Sequence, residues 1–514
     1  MKKTIPIIAL LAITLAVYAA SLRNGFVNWD DGVLIYHNPT VKEISSWSIR
    51  EIFTTYDPEL YIPLTLFTYQ IETFFFGLNP TVYHATNLVL HALNAVLVWI
   101  LCTILLTRPA SPAGRKPALD GPGVHWMAFG AALLFAIHPL NTEAVAWVSA
   151  RKDVLYAFFF LLSIIAYVRY RDEASEKLYW WSVALFLLAL LAKPAALSMA
   201  PILIAIDWYR ERVSLARSAQ NAVEQARLLW PHLLLSILFG IVALNGKTVN
   251  LPQLSLWEYL LLAAKIAVFS LRQIVLPGHF SVLYEQHAPI VLASPGFALP
   301  VLLLLALTTG AILLRRRAPI LMFCFAWYLL ALVPSLFNFY KQSYVFYSSD
   351  RYAYAASIGV FLAILWIAWR LLQRIRPIAT RGAVAALLLL AISVPLSLRA
   401  YGRSLDWKDT GSLFKSDTDA AHPSFISYGN LGAMYVSDGR TDEAIALLER
   451  SLAIREDIAK THATLGNAYG KKGDYARGLV HLIRALELDP KKTEELEELR
   501  PLIEQFRRQM RNKG

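Results

Sequence analysis

The sequence is poor in charge and in cysteine, and both shortages limit what the protein can be. Charged residues make up 17% of its 514 residues, whereas a soluble domain usually contains about 25%. This deficit argues against an ordinary soluble enzyme. The two cysteines, Cys102 and Cys324, both lie in apolar runs. Two thiols are too few for a disulfide framework or a cysteine metal cluster, so we expect them to pack as small apolar side chains.

The chain also lacks the common signatures of nucleotide-driven and hydrolytic enzymes. It has no phosphate-binding loop, no Rossmann glycine pattern, no nucleophile elbow and no histidine pair with zinc spacing. The missing phosphate loop weighs against an ATP-driven machine. The net charge of +12 does not indicate nucleic acid binding, because most of the basic residues lie in short segments between apolar runs. We therefore predict no nucleic acid partner.

Long apolar runs dominate the first 400 residues. A membrane-spanning helix needs about 20 predominantly apolar residues, and we predict eleven such segments. They lie near residues 4–22, 83–106, 124–140, 153–169, 178–192, 195–208, 229–246, 296–314, 319–337, 355–372 and 383–400. Residues 255–276 are also apolar but include Lys265 and Arg272, and we interpret them as a re-entrant or interfacial helix.

Basic residues set the predicted orientation in the membrane. Lys2 and Lys3 place the N-terminus in the cytoplasm, and loops rich in Lys and Arg then alternate with loops that are poor in them. Eleven crossings put the rest of the chain on the extracytoplasmic side. The predicted domains are a transmembrane domain, residues 1–400, and an extracytoplasmic domain, residues 401–514. We interpret the first helix as an uncleaved span, and a cleaved signal peptide is the alternative.

A repeat with a fixed period occupies the region after residue 400. Five positions recur 34 residues apart, the tetratricopeptide period: Leu431 and Leu465, Gly432 and Gly466, Tyr435 and Tyr469, Gly439 and Gly473, and Leu452 and Leu486. Two helix pairs are predicted across residues 424–490, with a preceding helix in 406–422 and a charged capping helix in 491–510. The predicted fold class is all-α, a polytopic transmembrane helix bundle followed by a tetratricopeptide α-solenoid.

Acidic residues mark a candidate site on the first extracytoplasmic loop, residues 23–82. Asp30 and Asp31 closely follow the first predicted span, where adjacent carboxylates repel each other and are costly to desolvate. They are candidates for a general base or a metal-assisted site, and a helix cap or turn is the structural alternative. Glu143, at the outer end of the third predicted span, is a second candidate acid or base.

Basic side chains are expected to be rare on the outer face, yet several fall there in the predicted topology. They are Arg151, Lys152, Lys193, Arg272, Lys341 and Arg351. Together they are candidates for binding an anionic headgroup, because Arg and Lys bind phosphate oxygens well. Asp153 and Asp350 adjoin two of them and are expected to orient or neutralise the cations. For any single cation, a local ion pair is the alternative.

Polar residues within the predicted spans form a second pattern. His84, Asn87, His91 and Asn94 recur at spacings of three and four, so they share one helix face. That face is expected to point into the protein, mainly for hydrogen bonds between helices. His138, at the outer end of the third predicted span, precedes a proline.

An ordered set of motifs runs through nearly the whole chain. It comprises Phe26–Asp31, Tyr61–Thr65, Gly77–Pro80 with His84, Asn87 and His91, His138–Asp153, Leu191–Pro194 and Asp350–Tyr354, followed by the repeats. In this set the chain resembles the transmembrane and tetratricopeptide-repeat O-mannosyltransferases and their bacterial relatives, which belong to the GT-C glycosyltransferase superfamily. The resemblance implies a GT-C membrane domain, expected in a bacterial inner membrane, and a polyprenyl-phosphate-linked monosaccharide as donor substrate.

The resemblance also implies roles for individual residues. Asp30 or Asp31 is expected to accept the proton of an acceptor hydroxyl as that oxygen attacks the anomeric carbon with inversion. The residues expected to stabilise the departing lipid phosphate are Arg151, Lys152, Lys193 and Arg351. Those expected to support the site are Tyr61, His84, His91, His138, Asp153, Asp350 and Arg272.

The sequence therefore predicts a membrane glycosyltransferase that acts on a hydroxyl of a protein or glycan acceptor outside the cytoplasm. Mannose is the sugar that the family suggests, and the repeats are candidates for docking the acceptor. Packing of the repeats on the membrane domain is the alternative to partner binding. A non-catalytic membrane-anchored repeat scaffold and a lipid or glycan transporter stay open as alternative functions. The sequence predicts no firm cofactor and leaves a divalent metal ion open.

Overall fold

A computed structural model of the chain describes residues 4–57, 60–107, 122–210, 218–246, 254–286, 288–337, 340–341, 344–420, 423–488 and 499–513. Lys2 and Lys3, on which the predicted orientation depends, lie outside these residues. So do residues 421–422 and 489–498 of the predicted repeat region. The chain divides into two compact units. The membrane unit comprises Met1–Gly278 and Glu285–Lys408, and the repeat unit comprises His279–Tyr284 and Asp409–Gly514.

Helices make up nearly all of the described membrane unit. They are α1 (Thr4–Tyr18), α2 (Pro39–Lys42), α3 (Ser46–Thr54), α4 (Pro63–Phe76), α5 (Pro80–Leu106), α6 (Pro122–Ile137), α7 (Thr142–Ala146), α8 (Arg151–Glu173), α9 (Glu176–Ala192), α10 (Met199–Tyr209), α11 (Ser218–Asn245), α12 (Leu256–Val275), α13 (Pro295–Leu314), α14 (Pro319–Leu332), α15 (Ser357–Leu372) and α16 (Ile378–Asp406). Three short strands, β1 (Tyr284–Glu285), β2 (Tyr340–Lys341) and β3 (Tyr344–Ser348), form a small sheet with β3 in the middle. Strands β2 and β3 are antiparallel, with Tyr340 opposite Val345.

All eleven segments that the sequence predicts as spans form helices. Among the described residues, seven helices are long and apolar enough to cross a membrane, or eight if α6 and the residues after its bend count as one span. Helices α10, with the turn before it, and α15 are shorter apolar helices. The segment predicted as re-entrant or interfacial is α12, a helix that is not among these candidate spans. Helix α16 continues through the predicted domain boundary at residue 400 to Asp406, and that domain division stays a prediction.

The first predicted outer loop is a folded segment with its own core. A five-residue π-helix, Gly32–Tyr36, follows the acidic pair, and α2, α3 and α4 complete the segment. Its buried side chains are Leu34, Ile35, Val41, Ile52, Ile62, Leu66 and Tyr69, which pack with Tyr83 and Val148. Because Val148 lies just before α8, this core fixes the first loop against the start of that helix.

Helix packing buries the start of α8 inside the membrane unit. Helix α5 contacts α1, α6 and α8, and α15 contacts α6 and α14. Helix α6 ends before Pro139, whose ring cannot continue an α-helix, and the chain bends by 48° there. The short helix α7 and two tight turns then lead into α8. This break allows residues 138–153 to turn within the interior instead of running straight across.

The repeat unit contains the predicted helix pairs. They are α18 (Phe425–Ser437) with α19 (Thr441–Ile454) and α20 (Ala459–Lys472) with α21 (Tyr475–Leu488), preceded by α17 (Thr410–Thr418) and followed by α22 (Leu499–Lys513). A Cβ on Gly432 or Gly466 would lie 2.7 Å from the facing leucine Cγ, so these positions permit close packing within each pair. Gly439 and Gly473 have positive φ between the paired helices. The predicted fold class, all-α with a membrane helix bundle and tetratricopeptide repeats, is confirmed.

Candidate active site

Five separate stretches of the membrane unit supply the charged residues of the candidate site. The first loop supplies Asp30 and Asp31, α7 supplies Glu143, and the start of α8 supplies Lys152 and Asp153. The connection between α9 and α10 supplies Lys193, and the turn before α15 supplies Arg351. Most of these residues therefore lie at helix ends or in tight turns, where backbone breaks let distant segments converge.

Asp31 ties the first loop to the segment before α8. Its carboxylate accepts hydrogen bonds from the Val27 amide at 2.8 Å, the Ser149 amide at 3.0 Å and the Ser149 hydroxyl at 2.5 Å. The side chain is fully buried. Burial raises the pKa of the Asp31 carboxyl to about 6, although the bonds from Ser149 and Val27 oppose that shift. Asp31 is therefore placed to hold the turn that carries Asp30.

Asp30 is the more accessible member of the acidic pair. Its side chain is 34% exposed, and its Oδ2 lies 3.7 Å from Nζ of Lys152, whose side chain is only 5% exposed. Asp30 also lies within electrostatic range of Arg351. A carboxylate that reaches solvent on one side and two cations on the other is placed to meet an incoming acceptor hydroxyl.

Arg351 is held by a buried acid. The Glu143 carboxylate accepts hydrogen bonds from Nη1 and the backbone amide of Arg351, the latter at 3.0 Å, and from the Ser349 hydroxyl at 2.9 and 3.0 Å. Both charged side chains are at most 3% exposed. With its oxygens occupied in this way, Glu143 is better suited to orienting Arg351 than to moving a proton.

Lys193 is held in the same manner by Asp153. The Lys193 ammonium donates to Oδ1 of Asp153 at 2.5 Å, and Nε of Arg351 lies 4.0 Å from Oδ2 of the same carboxylate. Burial lowers the pKa of Lys193, while Asp153 opposes that shift. Lys152 and Arg351 both act on Lys193 electrostatically. The three cations thus lie in one electrostatic neighbourhood.

An indole ring contacts two of these cations. The Lys152 Nζ is 5.4 Å and the Arg351 Cζ is 4.9 Å from the centroid of the fully buried Trp147 ring. Trp407, at the end of α16, stacks on Trp147 with 5.5 Å between ring centroids and 23° between planes. Trp147 lies within the motif His138–Asp153, but no sequence signal distinguishes it from an ordinary core tryptophan.

Arg151 lies in a different cluster, although it precedes Lys152. Its guanidinium donates to Asn87 Oδ1 at 2.7 Å, to the Tyr83 carbonyl at 2.8 Å and more weakly to Thr68 Oγ1 at 3.4 Å, and its Nη1 lies 2.8 Å from a Glu72 carboxylate oxygen. The side chain is fully buried. All of its nitrogens are engaged within the protein, so this geometry favours a structural role. Contact of Arg151 with the donor phosphate stays a prediction.

The remaining predicted residues support the fold around the site or lie away from it. His84 contacts the Gly25 carbonyl at 3.2 Å through Nε2, and His91 contacts the Tyr354 hydroxyl and the Ala136 carbonyl. Nδ1 of His138 accepts from the Leu140 amide. The Tyr61 hydroxyl donates to the Phe53 carbonyl. Asp350 is buried at the start of the turn that carries Arg351. Arg272 is exposed near the end of α12.

Further polar residues contribute that the sequence analysis did not select. Ser149 and Ser349 hold acids of the site, and Asp57 lies within electrostatic range of Lys152. Asp57 follows the short helix α3 in the first loop, and no spacing signal marks it. Within the described ranges, no group of three or more His, Cys, Asp or Glu side chains is arranged to hold a metal ion.

Known proteins resemble this chain along most of its length. The protein O-mannosyl-transferase Tmtc3 of Drosophila melanogaster is 23% identical over 84% of this chain, and the match covers 52% of that protein. A protein O-mannosyl-transferase of Caenorhabditis elegans is 24% identical over 85% of this chain and 61% of its own length. Human TMTC1, a protein O-mannosyl-transferase, is 33% identical over 30% of this chain and 17% of its own. The chain therefore spans about half the length of the first of these relatives, and the predicted resemblance is confirmed.

Two further comparisons concern the repeats and the fold. Residues 426–462 and 459–492 each match the tetratricopeptide repeat family. The crystal structure of ArnT from Cupriavidus metallidurans bound to undecaprenyl phosphate aligns with 94% of this chain and 77% of its own, at 13% identity and a TM-score of 0.36. A TM-score this low does not establish a shared fold.

Proposed function

We propose that this chain is a membrane glycosyltransferase that moves a monosaccharide from a polyprenyl-phosphate carrier to a hydroxyl of a protein or glycan acceptor. Mannose is the proposed sugar, because the relatives that match more than four-fifths of the chain are O-mannosyl-transferases by name. The observation that carries the proposal is the pairing of Asp30, which solvent reaches, with the buried cations Lys152 and Arg351.

The proposed reaction is a direct displacement at the anomeric carbon. Asp30 accepts the proton of the acceptor hydroxyl while that oxygen forms a bond to the anomeric carbon. The bond from the anomeric carbon to the phosphate oxygen breaks, and its electron pair stays on the phosphate. Lys152, Arg351 and Lys193 stabilise the charge that develops on the phosphate. Attack opposite to the leaving group inverts the anomeric configuration.

The neighbouring acids have positioning roles in this proposal. Asp31 holds the turn that carries Asp30 through its bonds to Val27 and Ser149. Glu143 and Asp153 keep Arg351 and Lys193 ionised and oriented, because a buried cation requires a nearby opposite charge. Arg151 stabilises the packing of α5 against α8.

The protein is proposed to lie in a bacterial inner membrane. Its repeat unit is proposed to bind the acceptor on the extracytoplasmic side. Two helix pairs with flanking helices offer a surface for a protein segment. In this arrangement the N-terminus is cytoplasmic and the acceptor reaches Asp30 from the outer side. A tag after Gly514 should then be labelled from outside in intact spheroplasts, and labelling only after lysis would contradict the orientation.

The direct test is transfer by membranes that contain the full chain. Membranes are incubated with a panel of radiolabelled polyprenyl-phosphate sugars, and label in protein and glycan fractions is compared between wild type and Asp30→Asn. Glu51→Gln, which changes another partly exposed acid of the first loop, is the matched control. Wild type and Glu51→Gln should incorporate label and Asp30→Asn should not. Equal incorporation by Asp30→Asn would rule out Asp30 as the catalytic base, and no incorporation from any donor would favour a repeat scaffold.

A further inference from the structure

Trp147 occupies an unusual position for a buried tryptophan, because two cations share its ring. Lys152 comes from the first turn of α8 and Arg351 from the turn before α15, and both lie within 5.4 Å of the ring centroid. Trp407 stacks on the same ring. The ring therefore joins three segments of the membrane unit that are far apart in the chain.

The two cations repel each other, and Asp30 beside Lys152 and Glu143 and Asp153 beside Arg351 offset part of that repulsion. A carboxylate between them would neutralise their charge and accept their N–H groups, which would leave less for a phosphate. An aromatic face attracts cations through its quadrupole without accepting their strong hydrogen bonds. The Trp147 ring can thus hold Lys152 and Arg351 near each other without neutralising their charge.

The indole N–H does not account for the presence of tryptophan here. Nε1 of Trp147 is buried and has no hydrogen-bond partner within the part of the chain that the structure describes, whereas a buried indole N–H usually finds one. An unsatisfied buried donor destabilises the fold. The stack on Trp407 fixes the plane of the ring. What the residue contributes is therefore the face of the ring.

We propose that Trp147 is a positioning residue that holds Lys152 and Arg351 together to receive the phosphate of a lipid-linked donor. This inference rests on the proposed function and deepens it, because it states what keeps the phosphate site assembled when no donor is bound. Without the ring, Lys152 loses its aromatic contact beside Asp30, and Arg351 is held by the Glu143 and Asp153 carboxylates alone. Loss of the ring should weaken donor binding strongly, and it should slow the proton transfer to Asp30 much less.

The test compares three substitutions in the full-length protein in nanodiscs. Undecaprenyl phosphate is the probe, and neutral undecaprenol is its uncharged counterpart. Trp147→Leu removes the ring, and Trp147→Phe keeps a smaller aromatic face. Trp126→Leu is the matched control, because Trp126 also pairs with a second indole, Trp369 at 5.6 Å, and also has a buried Nε1 without a partner among the described residues.

The expected result is a split between binding and chemistry. In Trp147→Leu, Kd for undecaprenyl phosphate and KM for the donor should rise about tenfold, the loss expected when a desolvated cation–π contact disappears. The turnover number should fall by less than about threefold, and Trp147→Phe should recover most of the affinity because a phenyl ring still attracts cations. Trp126→Leu should bind the probe as wild type does, and no variant should bind undecaprenol differently.

Several results would overturn the inference. Wild-type affinity for the lipid phosphate in Trp147→Leu would do so while leaving the proposed function intact. Equal weakening in Trp147→Phe and Trp147→Leu would assign the effect to the shape or N–H of the indole. If wild type itself binds no lipid phosphate, the proposed function fails and the inference fails with it.

A second measurement applies if Trp147→Leu does not fold. Fluorinated tryptophans are incorporated at position 147 alone, and each added fluorine withdraws electron density from the ring with little change in its size. Affinity for undecaprenyl phosphate should fall steadily as fluorines are added, because the quadrupole weakens. An affinity that does not depend on fluorination would overturn the inference.

Discussion

Arg151 and Lys152 are adjacent in the sequence, but their side chains lie in two clusters of different kinds. Arg151 is enclosed by Asn87, Tyr83 and Glu72, with every nitrogen engaged at hydrogen-bond distance. Lys152 faces a partly exposed carboxylate at 3.7 Å and an indole ring. The first cluster is closed by its own partners, whereas Lys152 in the second combines a long ion pair with an aromatic surface.

We propose that this difference separates structural from functional charge in this protein. A buried guanidinium with a complete set of partners stabilises helix packing and has little left for a ligand. A cation held by a ring and a distant carboxylate keeps its charge, because neither contact neutralises it fully. We propose that Arg351 also belongs to the functional group, because its Cζ lies 4.9 Å from the Trp147 ring centroid and its Nε has no hydrogen-bond partner among the described residues, although Glu143 holds one end of its guanidinium.

The largest expected effect concerns Asp30, the partly exposed acid beside Lys152. Asp30→Asn should lower the turnover number about 10²- to 10⁴-fold, the usual contribution of a general base. The side chain is 34% exposed, so the amount of folded protein and the donor affinity should change little. Steady-state transfer assays and gel filtration measure these quantities. A variant with wild-type turnover would place the base elsewhere, with Asp57 as the next acid to test.

The next largest effect concerns Arg151 and its partners, and it is an effect on the stability of the fold. Arg151→Met should lower the free energy of unfolding by about 3–5 kcal/mol, because it leaves the Glu72 carboxylate nearly buried without its cation. Arg151→Lys should recover only part of this loss, since an ammonium cannot match the fork of bonds that the guanidinium makes. Denaturation in detergent provides the measurement. Normal stability combined with lost donor affinity would move Arg151 into the functional cluster.

A smaller effect is expected at Lys152 itself. Lys152→Met preserves the packing of the stem but removes the charge, so KM for the donor should rise about tenfold, as for the loss of one charged contact. The free energy of unfolding should change by less than about 1 kcal/mol, because the pair with Asp30 is long and partly exposed. The pair of variants Arg151→Met and Lys152→Met thus tests the comparison in both directions. Opposite outcomes at the two positions would reverse the assignment.

The smallest effect concerns pH. Burial raises the pKa of Asp31 to about 6, and the ionised form is the one that accepts three hydrogen bonds from Val27 and Ser149. Activity should therefore fall as the pH drops through about 6, because protonation weakens this anchor of the first loop. Ser149→Ala removes a hydrogen bond that lowers this pKa, so the acidic limb should move to higher pH. A pH–rate profile that keeps its midpoint in Ser149→Ala would disconnect Asp31 from the limb.

The periodic features of the fold could be predicted from the sequence, but the short, non-periodic helices and turns could not. The recurrence of Leu431 and Gly432 at Leu465 and Gly466 identifies helix pairs because each repeat must present the same packing face. The apolar runs identify the long helices in the same way. In contrast, the π-helix after Asp31 and the short helices of the first loop are too short to show a repeating apolar pattern in the sequence.

The sequence indicated which charged residues lie on the same side of the membrane domain, but not the direction in which each side chain points. The charged side chains of Lys152, Lys193 and Arg351 share one neighbourhood, as the predicted topology suggested. Neighbouring residues on a helix point in directions about 100° apart, so Arg151 and Lys152 had to point differently, but the sequence could not reveal which cluster each one faces. The bend at Pro139 and the tight turns after it set that phase.

The most direct test of the account is a photo-crosslinking map of the lipid phosphate. A polyprenyl phosphate with a photoreactive group next to the phosphate is bound to the full-length protein, and labelled peptides are identified by mass spectrometry. The account predicts labelling of the segments that contain Trp147, Lys152 and Arg351, competed by unmodified lipid phosphate and absent with a neutral polyprenol probe. Labelling confined to the Arg151 partners on α4 and α5, or to the lipid-facing helices, would contradict it.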